Sequence, residues 1–350
     1  MAGASISFHN VSKHYGPVAA LEAFDLEVVA GEFMTFLGPS GSGKTTALNV
    51  LAGFTPASSG DVLIGGKSII NRPPEKRNVG MVFQNYALFP HLNVFENVAF
   101  PLKLRGVKGP ELRRKVDEAL GMVQLADFAG RQPKELSGGQ RQRIAFARAV
   151  VFEPPVLLMD EPLGALDLKL RQSMQIEIKR YHSQLGCTII FVTHDQGEAL
   201  ALSDRIAVMG NGRISQVDRA ELIYDRPANR YVAEFIGRTN IFTLEDGPSG
   251  GLRIVGSGSG FAPGTQDWTA GTTLSLRPEK IQRRAAGEAE GGLDARIDEV
   301  LFQGDLVHYT ALTSEGLKIS FQELRSPGIE LLQIGSPVTL GFRPADALRL

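Results

Sequence analysis

The chain has 350 residues, 43% of them hydrophobic, and its 37 lysines and arginines nearly cancel 38 aspartates and glutamates. That length implies two or three domains rather than one core, and the balanced charge argues against a polyanion partner held by bulk attraction. A single cysteine, Cys187, excludes an intrachain disulfide framework, and no apolar run approaches the roughly 20 residues that span a bilayer.

Taken in chain order, residues 1–8 carry no basic segment followed by an apolar one. No secretory signal is expected, and a cytosolic location is. Ile6 to Val11 and Leu21 to Val29 read as strands, and Ala30-Gly31 turns into a third, Glu32 to Leu37. Next comes Gly38-Pro39-Ser40-Gly41-Ser42-Gly43-Lys44-Thr45-Thr46, a phosphate-binding P-loop between a strand and a helix. Its glycines let several N–H groups point inward at phosphate oxygens, and the helix N-terminus adds positive potential there. Lys44 is expected at the β- and γ-phosphates and the Thr45 hydroxyl on Mg²⁺. Val62 to Ile64 followed by Gly65-Gly66 reads as a hairpin edge. Residues 92 to about 135 mix charges with Leu, Val and Ala at helical spacing, the mark of a helical insertion within a subdomain of about 88–150.

Leu136-Ser137-Gly138-Gly139-Gln140 opens another helix, so its hydroxyl and unpaired N–H groups make a second anion-binding terminus. Val156 to Met159 and Thr188 to Val192 are continuous apolar runs, as in strands buried on both faces. The first ends in Asp160-Glu161, at the strand end where parallel sheets bind ligands. Asp160 suits octahedral Mg²⁺ and Glu161 the orientation or deprotonation of an attacking water; a plain helix-terminal acid is the alternative. Leu170, Met174, Ile178, Tyr181 and Leu185 share one helical face, and Gly186 is a natural C-cap. Ile206 to Met209, Asn211-Gly212 and Arg213 to Val217 spell a hairpin. The chain beyond 238 is rich in Gly, Pro and short β runs. Gly247 to Gly264 reads as loop, and Leu276-Arg277-Pro278-Glu279 is echoed by Phe342-Arg343-Pro344-Ala345, as if two β lobes were related.

The pentapeptide Leu136 to Gln140, roughly 20 residues before the Asp160-Glu161 strand, resembles the signature of the ATP-binding cassette (ABC) family. The resemblance extends to nearly all of residues 5–238. It implies an α/β P-loop NTPase cassette, 1–238, followed by an all-β, OB-like regulatory domain, 239–350. It also implies that Tyr15 stacks on adenine, that Gln84 touches Mg²⁺ and the attacking water, and that His194 is the switch histidine. Leu136, Ser137, Gly138, Gly139 and Gln140 are then expected to grip an ATP held by a second copy. Asp167 stands in the D-loop Gly164-Ala165-Leu166-Asp167, where the family often carries serine in place of Gly164. Mg²⁺ is the implied cofactor, on Thr45, Gln84 and Asp160, with ATP as substrate.

The C-terminal third looks like the regulatory β (TOBE-type) domain of importer motors for sugars, sulfate, iron and polyamines. Phe83 to Phe100 and Thr239-Asn240-Ile241-Phe242 are most similar to the spermidine/putrescine group. The implied partners are a second copy, two integral membrane permease subunits and, indirectly, a solute-binding protein; no nucleic acid is expected. The implied location is peripheral, on the cytoplasmic face of the cell membrane. The apolar stretch Asn85 to Pro90 reads as a groove for a short permease helix, or else as buried packing. Arg277 and Glu279 read as a surface pair or as ligand contacts. Other solutes remain alternatives. A cassette ATPase acting on nucleic acid or ribosomes is disfavoured by one P-loop, one signature, no heptads and one cysteine. An exporter motor is disfavoured by the missing membrane span, and a freestanding oligonucleotide module by the lack of a basic or aromatic cluster.

Overall fold

A hairpin with an exposed rim opens the chain. In this computed structural model, which describes residues 3–164, 166–247, 251–257, 268–284, 292–326 and 330–350, two compact units emerge, Met1–Ile223 and Tyr224–Leu350. β1 (Ile6–Tyr15) pairs antiparallel with β2 (Val18–Val28), Tyr15 opposite Val18. Both run longer than their apolar cores suggest, because Lys13, His14 and Ala19 continue the ladder along a partly exposed edge. β3 (Phe33–Leu37) is buried at all five positions and feeds α1 (Lys44–Ala52). β4 (Ser59–Ile64) and β5 (Lys67–Ser68) pair across Gly65 and Gly66, at φ 57° and 72°, as the expected hairpin. β6 (Val79–Val82) precedes α2 (Val94–Leu104), α3 (Gly109–Met122) and α4 (Gly138–Val150). These three helices pack on one another and form the helical insertion.

β7 (Val156–Asp160), α5 (Leu168–Leu185), β8 (Thr188–Thr193) and α6 (Gln196–Leu202) follow. α5 buries Met174, Ile178, Tyr181 and Leu185 and ends at Gly186, φ 63°, as its periodicity requires. β9 (Arg205–Gly210) and β10 (Arg213–Arg219) turn through Asn211 and Gly212, both left-handed, and lead into α7 (Ala220–Asp225). The antiparallel sheet runs β2-β1-β4-β5 and the larger sheet β10-β9-β3-β8-β7-β6, in which only β9/β10 is antiparallel.

Side chains of the larger sheet alternate between two cores, as period-two geometry demands. Met34, Phe36, Val156, Leu158, Ile190 and Val192 join α1 and the antiparallel sheet. Phe33, Leu157, Met159, Ile189 and Phe191 join the helices on the opposite face. The continuous apolar runs are therefore strands covered on both sides.

The second unit contains α8 (Arg230–Phe235), β11 (Asn240–Asp246), β12 (Leu252–Ile254), β13 (Thr273–Leu276) and β14 (Gln282–Arg284). β15 (Leu293–Phe302), β16 (Leu306–Thr313), β17 (Lys318–Leu324), β18 (Pro337–Gly341) and β19 (Leu348–Arg349) complete it. Its sheets run β12-β11-β13-β19 and β14-β18-β15-β16-β17 around one apolar core.

The echoed motifs are a structural repeat. Arg277 and Arg343 each follow a strand and precede a single 3-10 turn, Pro278–Lys280 or Pro344–Asp346. Each motif hands the chain from one sheet to the other, β13 to β14 and β18 to β19. Two expectations need correction. Within Gly247 to Gly264, Leu252–Ile254 pairs with β11 instead of remaining loop; 248–250 and 258–264 lie outside the described residues. The compact units divide at Ile223/Tyr224 and not at 238, because Arg277 binds residues 224–238 to the β unit.

Candidate active site

Four neighbouring parallel strands, β3, β8, β7 and β6, end at one edge of the larger sheet. Just past those ends stand the P-loop, His194, Asp160-Glu161 and Gln84. The register (Leu37 opposite Thr193, Asp160 opposite Val192, Val82 opposite Met159) brings together residues far apart in sequence.

The P-loop, Gly38 to Gly43, depends on missing side chains. Gly41 and Gly43 have φ 80° and 99°. A Cβ at Gly43 would meet the Ala20 carbonyl at 2.5 Å, and one at Gly38 would strike the Met209 carbonyl and Ser42. α1 begins at Gly43 with no side-chain cap, so the N–H groups of Lys44, Thr45 and Thr46 and the positive end of the helix serve the loop. Pro39 and Ser40 sit on its exposed rim. Lys44 is 5% exposed, and its ammonium donates to the carbonyls of Gly38 at 2.7 Å and Pro39 at 2.9 Å. Burial pulls that ammonium below the ordinary lysine range, while Glu161 and Asp160 pull it back up.

The Thr45 hydroxyl donates to Asp160 Oδ1 at 3.2 Å, joining P-loop to strand end. Burial pushes the Asp160 carboxyl up; the Thr45 bond opposes that and the Glu161 charge adds to it. Glu161 is gripped from two sides: Gln84 Nε2 donates to Oε2 at 3.3 Å, and His194 Nδ1 lies 3.2 Å from Oε1. Its backbone is held too, at φ 42°, with its N–H on the Val192 carbonyl at 2.9 Å. A non-glycine residue in that region is strained by about 1–3 kcal/mol, a feature that clusters at active sites.

The Thr45 hydroxyl, the Asp160 carboxylate and the Gln84 side-chain carbonyl are hard oxygen donors of the kind Mg²⁺ takes, and they number fewer than six. The remaining positions suit phosphate oxygens and water. Among the described residues there is no cluster of three His, Cys, Asp or Glu side chains able to hold a metal.

The other expected residues form separate groups. Tyr15 is 51% exposed at the end of β1, with Lys13 Nζ over its ring, 4.9 Å from the centroid. Ser137 caps α4 in a reciprocal box with Gln140, at 3.3 and 2.9 Å, and Leu136 is buried beneath. Among the described residues no hydrogen bond ties this signature to the P-loop. It packs instead beside the D-loop: a Cβ at Gly139 would meet Leu170 at 2.9 Å, and one at Gly138 would touch Leu166. Asp167 caps α5, accepting from the Leu170 N–H at 2.9 Å; Ala165 lies outside the described residues. In the stretch Asn85 to Pro90, Tyr86 is core while Asn85, Ala87 and Pro90 are exposed.

Sequence reasoning missed the residues that hold these loops. Arg171 on α5 donates to the Leu166 carbonyl and to Asp195, each at 3.2 Å, linking the D-loop to the residue after His194. Glu198, 2% exposed, accepts from Thr193 at 2.7 Å, and burial pushes its carboxyl up. Asn97, wholly buried in α2, bonds Phe89, Leu92 and Asn93. Arg148 reaches the turn after Gln84. The available signal was a lone charged residue inside an apolar helical run, as Arg148 is among Phe146, Ala147, Ala149 and Val150.

A family model described as ABC transporter matches residues 21–164, and one described as TOBE domain matches residues 274–350. The spermidine/putrescine import ATP-binding protein PotA of Rubrobacter xylanophilus is 44% identical over 357 aligned positions, covering 99% of this chain and 93% of that protein. Its counterpart in Thermobifida fusca is 46% identical over 352 positions, covering 97% and 92%. Among solved structures, a dimeric ATP-binding cassette in a post-hydrolysis state with ADP and Pi shares 33% identity. It covers 61% of this chain and 98% of its own, with a TM-score of 0.55.

Proposed function

The chain belongs to the ATP-binding cassette transporter family, and from that premise we propose that it is the ATP-hydrolysing motor subunit of a polyamine importer. The observation that carries the catalytic reading is the clamp on Glu161, with Gln84 and His194 on its two oxygens, beside Thr45 and Asp160.

In this reading the P-loop N–H groups and Lys44 wrap the β- and γ-phosphates, and Tyr15 stacks on the adenine. Thr45, Asp160 and Gln84 would hold Mg²⁺, which would supply positive charge to the phosphate oxygens. Glu161 orients a water in line with the γ-phosphate and takes its proton as the new P–O bond forms and the bond to the β-phosphate oxygen breaks. Because Nδ1 of His194 faces Glu161 Oε1 at 3.2 Å, Nε2 is the ring nitrogen left to meet the γ-phosphate.

The signature Ser137 to Gln140 sits at its own helix end, with Asp167 nearby, and serves the γ-phosphate of an ATP held by a second copy. The dimeric form of the structural relative supports this pairing. No helix among the described residues is long and apolar enough to cross a membrane. Force therefore passes to separate permease subunits, through the exposed part of Asn85 to Pro90 and its following helix, at the membrane surface.

The polyamine assignment is supported by the names of relatives that match end to end. It is tested by reconstituting the chain with its permease and binding protein and measuring ATPase activity against candidate solutes. Stimulation by spermidine or putrescine is expected; stimulation by iron, sulfate or a sugar alone overturns the assignment and leaves the motor reading intact.

A further inference from the structure

Immediately after Gln84, two successive non-glycine residues, Tyr86 and Ala87, take left-handed backbone angles, φ 59° and 44°. The Ala87 N–H donates to the Asn85 carbonyl at 2.6 Å, closing a three-residue turn about Tyr86. L residues adopt such a turn rarely and only under restraint.

The restraint comes from α4. Arg148, 8% exposed, donates through Nη1 to the Ala87 carbonyl at 2.8 Å and through Nη2 to the Tyr86 carbonyl at 2.9 Å. Its guanidinium also lies 5.5 Å from the Phe89 ring centroid. Tyr86 is itself buried in the apolar core to which Ile144 and Ala145 of the same helix belong, and its hydroxyl has no hydrogen-bond partner. Asn97 fixes the far end of the segment, accepting the Phe89 N–H at 2.8 Å. The helix that grips the turn starts at Ser137, so a single rigid rod runs from the signature to the backbone two residues past Gln84. A planar fork meets two adjacent carbonyls at once, which the point charge of a lysine does not.

We propose that Arg148 is a positioning residue for ATP hydrolysis: its grip on the Tyr86 and Ala87 carbonyls holds the turn that keeps Gln84 on Glu161, so that the signature helix sets the place of Gln84. The proposal rests on the reading that Gln84 serves hydrolysis. A purely structural Arg148 would matter for folding and leave the turnover of the folded enzyme untouched.

The test is steady-state Mg-ATP hydrolysis by the full chain carrying Gln84→Ala, Arg148→Lys, Arg148→Met, or Arg148→Met with Ala87→Gly, each compared only where thermal unfolding shows a folded cassette. Arg148→Met is expected to lower kcat by roughly 10²-fold and Arg148→Lys by about tenfold, with KM for ATP within about twofold, because the loss falls on the transition state. Glycine takes positive φ without steric cost, so Ala87→Gly should recover roughly fivefold of the loss in Arg148→Met. If Arg148→Met does not fold, the same rescue is read on Arg148→Lys.

Loss of kcat in Gln84→Ala beside full kcat in folded Arg148 variants overturns the positioning role alone. Equal changes in kcat and KM, or no rescue by Ala87→Gly, also overturn it. Full kcat in Gln84→Ala overturns the underlying reading of Gln84 and the proposal with it.

Discussion

Glu161 carries the proposed hydrolytic role on its local geometry. Its strained backbone and two-sided clamp aim one carboxylate outward from the strand end. Its neighbour Asp160 carries a stability consequence. Burial raises the Asp160 carboxyl above its ordinary 3.8, so the folded state holds that proton to higher pH than the unfolded chain does. Its contribution to stability is full below the ordinary carboxylate value and is lost as pH rises through the raised one. Asp160→Asn removes this penalty. At neutral pH without nucleotide it should raise the melting temperature. The gain should vanish as pH falls toward the ordinary carboxylate range. If Asp160 serves Mg²⁺ as proposed, hydrolysis should drop by about 10²-fold or more through loss of its negative charge. Calorimetry across pH, beside an ATPase assay, reads both effects; a lower melting temperature at neutral pH would contradict the burial account.

At the scale of elements, the site exists because four strand ends share one edge, and those elements were the legible ones. Val156 to Met159 and Thr188 to Val192 read as doubly covered strands because both faces are apolar. The P-loop read clearly because close backbone approach demands glycine at fixed places. Gly43 is the strictest of these, at φ 99° and against the Ala20 carbonyl. Gly43→Ala should weaken ATP binding by roughly tenfold or more, since the left-handed penalty alone is about 1–2 kcal/mol. A nucleotide titration checks this, and unchanged affinity would contradict the assigned loop geometry. Less legible were β6, four residues with a glycine inside, and the short helices α6, α7 and α8. The polar ties of Arg148, Asn97 and Glu198 were hidden for another reason: their partners lie on other turns and strands, and sequence spacing says nothing of those.

For the whole molecule, two units with separate cores imply separable behaviour, and Arg277 marks where they divide. Sequence alone read Arg277 with Glu279 as a surface pair or ligand contacts. The guanidinium is instead 5% exposed and donates to the carbonyls of Tyr224, Ala233 and Arg238, while Glu279 accepts the Tyr224 hydroxyl at 2.6 Å. Proximity in sequence made them look like a pair because nothing in the motif reveals a buried partner fifty residues upstream. Arg277→Met leaves the Ala233 carbonyl, and two part-buried ones, short of a charged donor and should destabilise 224–350 by about 2–4 kcal/mol. The cassette transition should stay in place. Two-transition calorimetry distinguishes this from a joint loss, which would show one cooperative molecule.

The proposed division of labour between copies belongs to the same scale. The residues proposed for the γ-phosphate, Lys44, Thr45, Gln84, Glu161 and His194, gather at one sheet end of a single chain, whereas Ser137 and Gly139 lie at the start of α4. The most direct measurement is the mass in solution of Glu161→Gln by light scattering, with and without saturating Mg-ATP, repeated with Ser137→Arg added. The account predicts a dimer that needs ATP and is lost on adding Ser137→Arg. Glu161→Gln that remains monomeric in saturating ATP, or a dimer indifferent to Ser137→Arg, would contradict it.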